Sequence, residues 1–91
     1  MVSLDVRWYG FDWDEGNRDK NLSLHGVTDD EAEQVFYGDP KVLRKSERLL
    51  AYGRTYAGRY LFVVFVLRQG LIRVISAREM TKGERNFYRR K

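Results

Sequence analysis

The chain has no cysteine, one histidine and one proline among its 91 residues. Without cysteine there is no disulfide and no thiolate metal or redox site. A lone His25 cannot build a multi-histidine metal site. No spaced Asp/Glu ligand loop is visible either, so a carboxylate-only magnesium or calcium site is the one metal option left open. No metal and no other cofactor is expected. Apolar runs are short. The longest, Tyr60 to Leu67, falls far below the roughly 20 residues of a membrane-spanning helix. The N-terminus lacks a basic stretch followed by an apolar run, so no secretion signal is read. The single proline and a hydrophobic share of 43% argue against a disordered chain. These absences predict a soluble cytoplasmic protein with no membrane partner. Residues 1–91 are read as one domain, long enough for one hydrophobic core and too short for two.

Charge is plentiful, and it is segregated. Residues 1–40 hold three basic side chains against ten acidic ones, a net of −7. Residues 41–91 hold fourteen Lys and Arg against Glu47, Glu79 and Glu84, a net of +11 that leaves +4 overall. Most of those cations are Arg, whose planar, permanently charged fork matches phosphate geometry. A basic face on a small domain points first to polyanionic partners, of which nucleic acid is the commonest. The same pattern also suits a solvated surface that balances the acidic half or a partner chain.

Local signals give the order β-α-α-β-β-β-β-α. Val6 to Trp13 mixes β-formers and aromatics and predicts a strand. Asp14 then caps a helix over about Glu15 to His25, ended by Gly26 with Val27 as the following hydrophobic contact. Thr28 and Glu31 have capping-box spacing, and Ala32, Val35 and Phe36 form the apolar face of a second helix. Gly38-Asp39-Pro40 closes it. Strands follow at Val42–Ser46, Leu49–Tyr56, Tyr60–Leu67 and Leu71–Ala77. Gln69-Gly70 is a two-residue hairpin signal. The run Tyr60–Leu67 does not alternate, which predicts a strand covered on both faces. Thr81 and Glu84 start a C-terminal helix with a second capping box. The expected fold class is α+β, a small antiparallel sheet with two N-terminal helices and one C-terminal helix. Asn21 in mid-helix is unfavourable by propensity and predicts a buried hydrogen bond.

Several of these residues also form a pattern. Phe11-Asp12-Trp13-Asp14, Asn21, His25-Gly26-Val27, Glu31-Ala32, Val35-Phe36 and Asp39-Pro40 occur in the first half. Glu47-Arg48, Gly58-Arg59, Val63-Val64, Arg73-Val74-Ile75-Ser76-Ala77-Arg78, Glu84-Arg85 and Tyr88 occur in the second. In order and spacing the chain resembles the BrnT family over about Phe11 to Tyr88. The resemblance implies a ribonuclease toxin of a type II toxin–antitoxin pair with a fold similar to RelE. It also implies a BrnA-type protein antitoxin, through which alone the toxin would meet operator DNA. Two departures from the pattern are Leu24 directly before His25-Gly26 and the short passage from Pro40 to Glu47.

RNA cleavage without metal needs a base for the ribose 2′-hydroxyl, cations for the charge on the phosphoryl oxygens, and an acid for the leaving 5′-oxygen. Arg73 and Arg78 are the phosphate candidates. They are five residues apart, so an unbroken strand would aim them at opposite faces unless it bulges or ends near Ser76-Ala77. His25 has the titration range for proton transfer, yet at a helix C-terminus it serves equally well by bonding the last carbonyls. Glu47 is the other base candidate, with a weak surface ion pair as its alternative role. Glu84 is explained by its capping box. Arg54, Arg59, Arg68, Arg85 and Tyr88 are the RNA-binding candidates. Tyr52, Arg54 and Tyr56 would share one strand face as an aromatic–Arg platform for bases, or cover core. Two other readings remain at this point: a nucleic-acid-binding module without catalysis, and a degenerate toxin that only binds its antitoxin.

Overall fold

The computed structural model describes residues 3–90. The elements are β1 (Gly10–Phe11), α1 (Lys20–His25), α2 (Asp29–Tyr37), β2 (Lys41–Lys45), β3 (Arg48–Arg54), β4 (Tyr60–Arg68), β5 (Leu71–Glu79) and α3 (Lys82–Arg89). The five strands form one sheet in the order β1-β5-β4-β3-β2. The fold is α+β, and its element order is the expected one. The sheet, however, is mixed rather than antiparallel, because β1 pairs with β5 in parallel through Gly10–Leu71 and Phe11–Ile72. β1 is also far shorter than Val6–Trp13. Val6, Trp8 and Trp13 pack their side chains against the core instead of extending the ladder.

Both capping boxes form. The Thr28 hydroxyl accepts from the Glu31 N–H at 3.0 Å, and the Glu31 carboxylate accepts from the Thr28 N–H at 3.0 Å. Gly26 ends α1 in the left-handed region at φ 68°, with the Gly26 and Val27 N–H groups donating to the Leu22 and Asn21 carbonyls. Helix α1 does not begin at Glu15. Asp14 is engaged by Arg73 and by the Gly16 N–H rather than capping a helix. Gly16 and Asn17 are poor helix formers, and the chain runs through turns until Lys20. Gln69 and Gly70 both take positive φ, 52° and 82°, as a tight two-residue hairpin requires.

The core lies between one face of the sheet and α2. Leu61, Val63 and Phe65 of β4 are fully buried there with Ala51, Ile72 and Ala77. Phe36 of α2 meets Phe65 edge-on at 4.9 Å. Gly53 permits the close approach of α2 to β3, since a Cβ there would lie 2.8 Å from Val35 Cγ1. The other face of β4 is only half covered, so Tyr60–Leu67 alternates after all. Helix α3 is short and shields that face only locally, where Tyr52, Phe62 and Phe87 stack at 5.0 Å spacings.

Strand β5 is bulged. Val64 pairs with Ser76 but Phe65 with Val74, which leaves Ile75 as the extra residue. Beyond β1 the free edge of β5 is closed by two amides. Asn17 Nδ2 donates to the Val74 carbonyl at 3.1 Å, and Asn21 Oδ1 accepts from the Ala77 N–H at 3.0 Å. The buried hydrogen bond expected of Asn21 is therefore present, and Asn17 supplies a second that propensity gave no reason to expect. Among the described residues no helix is long and apolar enough to cross a membrane.

Candidate active site

The half-covered sheet face carries a groove of about 640 Å³ between the β2–β3 hairpin and the start of α3. Its floor is Tyr52, Phe62 and Val64. Its walls are Glu47 and Arg48 of the hairpin on one side, Arg78 and Glu84 on the other. Arg78 and Glu84 form a two-pronged ion pair, Nη1 to Oε1 at 2.7 Å and Nη2 to Oε2 at 2.9 Å. The guanidinium lies 4.5 Å above the Phe62 ring, which fixes its plane. Glu84 also accepts from the Thr81 N–H at 2.8 Å, so the capping box and the arginine share one carboxylate.

The electrostatics follow from that contact. The Arg78 hydrogen bonds hold the Glu84 carboxyl below its usual value of 4.5, against the opposing effect of burial. Arg78 is raised in turn, first by its hydrogen bonds to Glu84. Burial raises the Tyr52 hydroxyl, which stays protonated at neutral pH. A carboxyl whose folded pKa is depressed stabilises the fold above its unfolded pKa, and that contribution disappears as pH falls through the folded value. Glu84→Gln keeps a capping-box side chain and removes the charge. Urea denaturation at about pH 7 and about pH 3.5 is expected to show a smaller loss of stability on acidification than in the unaltered chain. An unchanged difference would mean that the pair adds nothing to stability.

A model of the family described as the ribonuclease toxin BrnT of type II toxin–antitoxin systems matches residues 13–84. The chain belongs to the BrnT family. A solved relative agrees: the 1.1 Å crystal structure of the Brucella abortus ribonuclease toxin BrnT is 28% identical, with a TM-score of 0.64. That similarity covers 80% of this chain and 97% of the Brucella chain. A comparison with curated proteins finds no match.

Within this BrnT fold the residues singled out from sequence divide into groups. Arg78 and Glu47 line the groove. Arg73 pairs with Val66 as Arg78 pairs with Phe62, so the bulge at Ile75 brings both arginines to one face. They remain apart along the strand, by roughly 13–16 Å at about 3.3 Å per residue. Arg73 is held by Asp14 through two 3.0 Å hydrogen bonds and by Asp12 at 3.5 Å. Arg68 reaches Asp12 at 3.7 Å. Arg59 binds Glu31 and Glu79 at 3.0 Å and donates to the Gly26 carbonyl, tying the helices to β4. His25 is exposed at the end of α1 and does not line this groove. Arg85 is exposed on α3. Tyr56 lies beyond the end of β3, so it does not share the face of Tyr52 and Arg54.

Arg54 and Tyr88 line a second groove, described below. Two cations of the groove, Lys45 and Arg48, were not singled out from sequence as site residues. The signal for them lay in the hairpin itself. A two-residue turn at Ser46-Glu47 pairs Lys45 with Arg48 and brings both cations beside Glu47.

Proposed function

We propose that this chain is a metal-independent endoribonuclease of RelE-like type that arrests growth by cleaving RNA. A BrnA-type protein antitoxin silences it by covering the same cationic face, and operator DNA is bound through that antitoxin. The observation that carries the reading is the groove that joins Arg78, Arg48 and Lys45 to two carboxylates. The Glu84 oxygens mark positions that two phosphate oxygens would take on the Arg78 fork. In the proposed reaction Glu47 takes the 2′-hydroxyl proton and the 2′-oxygen attacks phosphorus. Arg78 stabilises the phosphoryl charge, the P–O5′ bond breaks, and the leaving 5′-oxygen takes a proton from solvent water, to which Glu47 returns its own. The products are a 2′,3′-cyclic phosphate and a 5′-hydroxyl. Arg73 and His25 have no part in this scheme, since neither lines the groove that holds Arg78 and Glu47. With no cysteine and one histidine, the chain has no ligands for a thiolate or multi-histidine metal site.

The test is the purified chain with total RNA in excess EDTA. Fragments with 5′-hydroxyl and cyclic phosphate ends, and untouched DNA, are expected. Cleavage that appears only when magnesium is restored would overturn metal independence. No cleavage in either condition would leave a binding module.

A further inference from the structure

The described ion pairs account for Arg59, Arg68, Arg73 and Arg78, all on β4 and β5 or the loop before them. The cations on the other side have no carboxylate within ion-pair distance among the described residues. These include Arg54 at the end of β3 and Arg89 and Arg90 at the end of α3. The three line a second groove on the far side of α3 from Arg78, about 880 Å³ in volume. That size lies within the roughly 300–1,000 Å³ of small-ligand clefts.

Three aromatic rings, Tyr60, Phe87 and Tyr88, line it as well. Tyr60 and Tyr88 meet edge-to-face at 6.0 Å. The Arg54 guanidinium lies 5.0 Å from the Tyr60 ring centre, where it extends the stacking surface. Tyr88 is partly buried, which raises its hydroxyl pKa and keeps it neutral. Lys41 is unavailable to a ligand, because its ammonium holds the Phe87 and Arg90 carbonyls at 3.0 and 2.9 Å. Asp39 lies at one end and would repel a phosphate placed beside it. A ligand that fits has a flat ring for Tyr88 and Arg54, a phosphate for Arg89 and Arg90, and an uncharged edge toward Asp39. A nucleotide within a single strand has all three.

We infer that this second groove is a nucleotide subsite, in which a base of the RNA flanking the cleaved bond stacks on Tyr88 and Arg54 while Arg89 and Arg90 hold its phosphate. The inference rests on the ribonuclease reading, and it extends the substrate path across α3 from the Arg78 groove. Tyr88, Arg89 and Arg90 lie beyond the residues that the family match covers.

The probe is a fluorescently labelled 2′-O-methyl RNA of about ten nucleotides, which lacks the attacking hydroxyl and cannot be cleaved. Anisotropy titrations would compare the unaltered chain, Arg54→Ala/Tyr88→Ala, and the exposed charge reversal Arg89→Glu/Arg90→Glu. A tenfold or greater rise in Kd is expected for each variant, with a shallower salt dependence for the charge reversal. The charge reversal alters exposed side chains only, so it remains informative if the other variant loosens α3. Unchanged Kd for the charge reversal, in a chain that still cleaves RNA, would overturn the subsite and leave the ribonuclease reading intact. If those cations instead serve a protein partner, oligonucleotide affinity also stays unchanged, and the subsite falls. An unaltered chain that neither binds the oligonucleotide nor cleaves RNA would overturn both.

Discussion

Arg78→Ala is expected to cut RNA cleavage by about 10²–10³-fold while leaving the protein folded, the loss typical of removing one preorganised donor at a developing charge. The fold should survive. Glu84 keeps its bond from the Thr81 N–H at 2.8 Å, and its side chain is 22% exposed, so water can replace the guanidinium. The lost ion pair and the contact with Phe62 together cost about 1–2 kcal/mol, against a typical stability of about 5–15 kcal/mol. The measurement is cleavage rate beside thermal unfolding for both proteins, with growth after induced expression as the cellular counterpart. A folded Arg78→Ala variant with full activity would remove Arg78 from the mechanism. A variant that fails only because it unfolds would show a matching fall in melting temperature.

Phe65→Ala is the control of opposite kind. Phe65 is fully buried at the centre of β4 and meets Phe36 of α2 edge-on at 4.9 Å. Truncation removes an aromatic ring and leaves a cavity that the β-sheet and α2 cannot easily close. A loss of about 3–5 kcal/mol is expected, which consumes much of the stability of a small domain. Urea unfolding should show a lowered midpoint with little change in slope. Cleavage should fall only in proportion to the folded fraction. A loss below about 1 kcal/mol would mean that this position is not a closely packed one.

Features set by a few neighbouring residues were legible in the sequence. Thr28 with Glu31, Thr81 with Glu84, Gly26 after His25, and Gln69-Gly70 all act where they were expected. Each depends on local hydrogen bonds that need no knowledge of the rest of the chain. What escaped depends on distant partners. Asp14 reads as a helix cap until Arg73, 59 positions away, takes its carboxylate. The parallel pairing of β1 rests on two residue pairs, too few to leave a pattern. Tyr60–Leu67 reads as doubly buried because its half-exposed residues are also apolar. Only the partial cover by Phe87 and its neighbours explains them. At the candidate site Arg78 and Glu47 could be named from sequence. The contact between Arg78 and Glu84 could not, because the capping box already accounted for the glutamate. The platform of Tyr52, Arg54 and Tyr56 dissolves for a similar reason: β3 stops at Arg54, whose aromatic neighbour is Tyr60 across the hairpin.

Strand β5 is written in two reading frames joined at Ile75. Before the joint the even positions, Ile72 and Val74, face the core; after it the odd position Ala77 does. The number of residues between Arg73 and Arg78 is thus as much a part of the message as their identity. Dropping one letter from that interval, in any chain built on this plan, would restore a single frame. The two guanidiniums would then stand four apart and still share a face, whereas an unbroken strand that kept all five steps would turn one of them into the layer that Val63 and Phe65 fill.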